Sequence, residues 1–129
     1  MSAIDSTAAA VINDADGTIG ARRWLIYVAG GEIAGDLTNA GSMTVSTFDG
    51  IAARGGAHVK GSIANQSGGL IDVGDDGMEI LGATIGTSTA AATGNLVNAG
   101  TIRTARSTGD AINVSGGARA YRGIENTCL

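Results

Sequence analysis

The chain has 129 residues, 43% of them hydrophobic but only 3% aromatic, so it can bury one core and that core must be aliphatic. A net charge of −4 with scattered Lys and Arg excludes the basic footprint that nucleic acid or an anionic bilayer requires. The 22 glycines, without a single proline, are dispersed among Ile, Val, Asn and Thr, which points to tight turns between short strands rather than to a linker.

In chain order, "MSAIDSTAAAV" lacks the charged start and long apolar segment of a signal peptide. No later run approaches the ~18 apolar residues of a membrane span, so no membrane insertion is expected of this segment. "VINDADGTI" (11–19) has the look of a calcium loop. Aligned on Gly17, it offers Asp14 and Asp16 as ligands but places Ile12 and Arg23 where two more oxygen donors are needed. A strand corner is the simpler reading. "IYVAGG" (26–31) alternates Ile26 and Val28 around Tyr27. From Ile33 to Val45 one parity holds Ile33, Gly35, Leu37, Asn39, Gly41, Met43 and Val45, and the other holds Asp36 and Thr38, the period-two signature of strands. Later phrases repeat the theme: "IAARGG" (51–56), "IANQSGGLI" (63–71), "MEILGA" (78–83), "LVNAGTI" (96–102), "INVSGG" (112–117) and "IENT" (124–127).

Two sets of landmarks keep one register. Asn13, Asn39, Asn65, Asn98 and Asn126 are separated by 26, 26, 33 and 28 residues. Gly30, Gly55, Gly82 and Gly116 are separated by 25, 27 and 34. The long step falls in "GTSTAAATG" (86–94), a small-residue tract expected to be extruded as a surface loop. Repeats of this length with aligned apolar columns predict an all-β, right-handed parallel β-helix of four to five coils of ~26 residues, three short strands per coil. One domain is expected over 1–129, with coils at about 11–36, 37–61, 62–94 and 95–123 and a partial coil at 124–129. Ile26, Ile51, Met78 and Ile112 form a predicted core column. The asparagines are expected to bond to one another and to backbone amides at a corner, and the glycines to supply positive φ.

"LTNAGSM" (37–43), "LVNAGTI" and "GDAINVSGGA" (109–118) resemble the repeats of bacterial autotransporter passenger domains and related surface adhesins, with the likeness running from about 11 to 126. That resemblance implies a β-helix displayed outside the cell, and no catalytic residue. Such proteins usually carry an export signal and a C-terminal barrel and run to many more turns, so a fragment or a small relative is implied.

Other candidate sites are bland. Asp72, Asp75, Asp76 and Glu79 crowd into "DVGDDGME" (72–79) but lack the spacing of calcium-binding nonapeptide repeats, and Asp76-Gly77 is expected to be a solvated turn equivalent to Asp49-Gly50. His58, the only histidine, is expected to be exposed and to ligate nothing. Asp36 with Lys60, and Asp110 with Arg103 and Arg106, are the pairs that polysaccharide-cleaving chemistry could use, yet they look like ordinary surface charge. Trp24, Tyr27, Phe48 and Tyr121 look too dispersed for a sugar cleft. Outward Thr does not recur from turn to turn as an ice-binding face would need. Phosphate-loop, dinucleotide and nucleophile-elbow motifs are missing. Cys128 has no second cysteine to pair with in its own chain.

Three functions remain in order of expectation: a structural and adhesive module of an exported bacterial surface protein, a self-assembling β-helix stacking end to end, and a polysaccharide-binding or polysaccharide-degrading β-helix. No catalysis, cofactor or bound metal is expected. The expected location is extracellular or at the cell surface, and the expected partners are a host or bacterial surface glycan or protein, or a further copy of the chain.

Overall fold

The computed structural model describes residues 3–4, 7–88 and 94–127. Among them every regular element is a strand, and every strand pairing is parallel. The chain is a β-solenoid of about four turns. Each full coil contributes three strands of three or four residues, and a two-residue bridge lies between the first and second of them.

Like strands stack on like. The first sheet is built from Ala3–Ile4, Ile26–Ala29, Ile51–Arg54, Met78–Leu81 and Ile112–Ser115. The bridge ladder runs Thr7–Ala8, Glu32–Ile33, His58–Val59, Thr84–Ile85, Arg119–Ala120. Val11–Asn13, Leu37–Asn39, Ile63–Asn65, Asn95–Asn98 and Gly123–Asn126 make the next sheet. Thr18–Ala21, Ser42–Val45, Leu70–Val73 and Thr101–Thr104 make the last. Because side chains alternate along a strand, in-register stacking turns every inward position into a column.

The columns explain the aliphatic composition. Ile26, Ile51 and Met78 stack with no solvent exposure, and Ile112 continues the column half-buried on the last coil. Leu37, Ile63 and Leu96, then Met43 and Ile71, and Ile33, Val59 and Ile85 fill the rest of the interior. Each such side chain contributes about 1.5–3 kcal/mol by burial. On the last coil the inward residues lose their cover: Val114 is 36% exposed and Ile124 56%.

The five asparagines stand in register and form a directional amide ladder. Asn13 Nδ2 donates to Asn39 Oδ1 at 2.8 Å, Asn39 to Asn65 at 2.8 Å, Asn65 to Asn98 at 2.9 Å, and Asn98 to Asn126 at 3.0 Å. The same Nδ2 groups reach backbone carbonyls at the bend: Asn39 those of Gly41 and Leu70, Asn65 those of Gly69 and Thr101. The bend therefore leaves carbonyl oxygens, rather than the expected amides, to be satisfied by side chains.

Two glycine requirements differ in kind. Gly30, Gly55, Gly82 and Gly116 have φ of 69°, 62°, 63° and 63°, the left-handed region where a Cβ is strained. Gly17 and Gly41 are instead steric: a Cβ at Gly17 would collide with Asn13 Oδ1, and one at Gly41 with the carbonyls of Asp14 and Gly17. "NDADG" is thus the wrapping of the first asparagine. Residues 89–93 of the expected loop, and Cys128, lie outside the described residues.

The ladder's direction makes a prediction. Asn65→Asp replaces a buried donor with a charged oxygen facing Asn98 Oδ1 and two carbonyls, and should cost about 3–5 kcal/mol in urea unfolding at neutral pH. Asn126, exposed and only accepting, should tolerate Asp within about 0.5 kcal/mol. Equal losses at the two positions would refute the direction assigned to the ladder.

Candidate functional site

The corners that join the fourth sheet to the first, at 22–25, 46–50, 74–77 and 105–111, lie one above another. Their backbones lock together: Leu25 and Ile26 N–H donate to Gly50 O at 3.1 and 3.0 Å, Gly50 N–H to Asp76 O at 2.9 Å, and Gly77 N–H to Asp110 O at 2.8 Å. Thr47 Oγ1 donates to Arg22 O at 2.7 Å, tying the first two corners. Residues about one coil apart in sequence become neighbours here.

Three of the chain's four aromatic rings meet at this place. Trp24 stacks on Tyr27 with centroids 4.5 Å apart and planes 20° from parallel, and Phe48 tilts against Trp24 at 5.4 Å. The expectation that the aromatics are dispersed is corrected, and only Tyr121 stands apart, under the Arg119 guanidinium. None of the three rings is in the interior: Trp24 and Tyr27 are half-buried and Phe48 is 38% exposed. Ala52, outward by strand parity and in register with Tyr27, is nevertheless fully covered, so side chains pack over this outer face.

A polar network fixes the indole. Trp24 Nε1 donates to Asp49 Oδ2 at 3.1 Å, and Arg54 Nη2 donates to the same oxygen at 3.0 Å. Arg54 also pairs with Glu79 and places its guanidinium carbon 5.8 Å over the Trp24 ring. Asp49 Oδ1 accepts the Asp76 N–H at 3.1 Å, and Asp76 in turn accepts the Asp110 N–H through Oδ1 and Asn113 Nδ2 through Oδ2, both at 2.8 Å. Each aspartate thus caps the amide of its counterpart one coil on. Asp49 is 4% exposed and Asp76 7%, so the expected solvated turn is a buried carboxylate column, because those amides would otherwise lack a partner.

Burial pushes the Glu79 carboxyl above its ordinary value, Arg54 pulls it back by hydrogen bond and charge, and nearby Asp49 and Asp76 add to the rise.

The remaining candidates separate. Asp75 pairs with Arg106 at 3.2 Å, Asp72 stands in register with Arg103, and Glu79 is held by Arg54, so "DVGDDGME" does not converge on a point. Among the described residues, no group of three or more His, Cys, Asp and Glu side chains is placed to hold a metal ion. His58 is half-buried, with Nε2 2.7 Å from Gly86 O, which corrects the expectation of an exposed imidazole. Lys60 pairs with Glu32 at 3.0 Å, whereas Asp36 accepts the Ser62 N–H at 2.8 Å, so the Asp36–Lys60 pair is replaced by local contacts. Arg106 likewise takes Asp75 as its partner in place of Asp110.

The aromatic corner is hidden in the sequence because Trp24 and Phe48 are 24 residues apart; that distance, close to one coil, is the signal that points to it. The Asp49–Arg54–Glu79 cluster follows the same arithmetic, Arg54 and Glu79 being 25 apart.

Compared with known proteins, the chain matches no family model, and no curated protein or solved structure aligns with it significantly.

A raised folded-state carboxyl pKa means that the folded chain binds the proton more tightly than the unfolded one, so Glu79 opposes folding increasingly as pH rises through the interval above its ordinary value of 4.5. Glu79→Gln removes this term. Its stability relative to wild type should therefore increase as pH is raised from acid toward neutral, measured by urea unfolding across that range. A relative stability that falls with rising pH would show that pairing with Arg54 outweighs burial.

Proposed function

We propose that the chain is a structural and adhesive segment of an exported bacterial surface protein, a rigid β-solenoid that makes contact through its outward faces and carries no chemistry of its own. The single observation that carries this reading is the Trp24–Tyr27–Phe48 corner. A fold whose core uses no aromatic ring places three together on its outside, and such amphipathic rings are favoured where a surface meets a partner. The best-placed acids support binding over catalysis. Asp49 and Glu79 are both engaged by the Arg54 guanidinium, and the second oxygen of Asp49 holds a backbone amide. An acid–base pair needs a carboxyl facing its substrate, and these face each other's counterion. Surface display is supported by the likeness of "LTNAGSM" and "LVNAGTI" to autotransporter passenger repeats.

Beads coated with the purified chain should adhere saturably to bacterial or host cells, and Trp24→Ala with Phe48→Ala should remove most of that adhesion. Adhesion no greater than that of beads carrying an unrelated acidic protein would end this reading.

A second reading, end-to-end association, is favoured by the uncovered Val114 and Ile124 of the last coil. Sedimentation at rising concentration should then show oligomers that Ile124→Lys returns to monomer; a concentration-independent monomer would dismiss it.

A further inference from the structure

We infer that the corner carrying Arg22, Arg23, Trp24, Tyr27 and Phe48 binds an acidic polysaccharide, with a pyranose ring lying on the aromatic rings and its carboxylate meeting the arginines. This rests on the adhesive reading above and names its ligand class.

The chemistry follows from how charge is distributed at the corner. The chain as a whole is acidic, at −4. The acids beside the rings are nonetheless neutralised: Asp49 is 4% exposed and Glu79 retains 12% of its side-chain surface, both against Arg54, and Asp75, whose N–H donates to Phe48 O, is half-buried and paired with Arg106. Arg22 and Arg23 are exposed, and among the described residues neither pairs with a carboxylate. Arg23 places its guanidinium carbon 5.8 Å over the Phe48 ring. The outward charge is therefore positive and adjoins an aromatic surface.

A uronate offers both complements. The C–H face of a pyranose is apolar and flat enough to stack on an aromatic ring, while its carboxylate accepts the paired N–H donors of a guanidinium. A neutral sugar would use only the rings, and a simple anion only the arginines. A single nucleic-acid strand also stacks and also carries negative charge, but it binds through many phosphates along a basic groove. Two unpaired arginines on an acidic chain supply too few contacts for that.

The indole is fixed before a ligand arrives and supports the exposed Phe48 ring that leans on it. Asp49 and Arg54 fix its edge and one approach to its ring, and Tyr27 stacks against it, so little side-chain freedom is lost on binding. This restraint comes from the coil-to-coil register and not from the corner's own sequence.

Trp24 is the only tryptophan, so its fluorescence reports on this corner alone. Titrating the full chain with hexagalacturonate at low salt should change that emission saturably. Arg23→Ala and Phe48→Ala, both at exposed positions, should each weaken binding roughly tenfold, with an unchanged circular dichroism spectrum. Tyr121→Ala, which removes the aromatic–arginine pair that lies outside this corner, should leave it unaltered. A neutral hexasaccharide binding as tightly, a single-stranded oligonucleotide binding more tightly, or hexagalacturonate binding unaffected by Arg23→Ala would each overturn the inference. If hexagalacturonate fails to bind while coated beads still adhere, the ligand class is wrong and the adhesive reading survives; if both fail, both are lost.

Discussion

Everything in this molecule depends on the parallel backbone hydrogen bonds between each strand and its equivalent one coil away. Those bonds are non-local in sequence yet repeat at every level, so they translate each position along a single direction and make each strand side chain meet its own counterpart. Apolar positions then have a partner above and below, which is how a chain almost without aromatic rings can close an interior with Ile, Val, Leu, Met and Ala. The same translation is demanding for polar side chains. An inward polar residue must be one that can bond to a copy of itself.

Asparagine meets that demand and aspartate does not. Its amide carries a donor and an acceptor, so Asn13 to Asn126 can run as a chain in which each member gives to the next. An ionised carboxylate only accepts. Accordingly Asp49 and Asp76, buried at the corners, do not bond to each other's side chains; each accepts a backbone N–H from the following coil and then needs a further donor. For Asp49 that donor is the Trp24 indole together with Arg54, and for Asp76 it is Asn113. The outward cluster therefore grows from a structural need of the corner.

This division sets what was legible in the sequence. The inward columns were readable because they repeat the same residue type: Asn at one place, and Ile, Ile, Met, Ile at another. From them the parallel solenoid, its period and its aliphatic core follow directly. The corners were not readable in that way, because a corner position need not repeat. Trp24, Asp49, Asp76 and Asp110 hold equivalent places, and the chemistry lies in the first differing from the others. "DDG" beside a glycine has the composition of a solvated turn, and only stacking shows that its second aspartate faces a buried amide. His58 departs from its expected exposure for a related reason: strand parity turns it from the core, but its ring lies against the carbonyl of Gly86, on the coil above.

The departure at Trp24 has a consequence for how a solenoid acquires function. Within the columns, a unique residue conflicts with its neighbours above and below, since a large or charged side chain must fit against counterparts selected for something else. At the corners and on the outer face that penalty is small, and the register still delivers fixed distances between residues a coil apart. Ala52 illustrates the accommodation: a small outward residue between Tyr27 and Glu79 leaves room for larger groups to close over it, and it is fully covered. Ring, guanidinium and carboxylates are consequently assembled from successive coils, at corners whose backbones hydrogen-bond to one another and on the strands that follow them. The recognition proposed for this scaffold is set by which residue breaks the repeat, and its geometry by the residues that keep it.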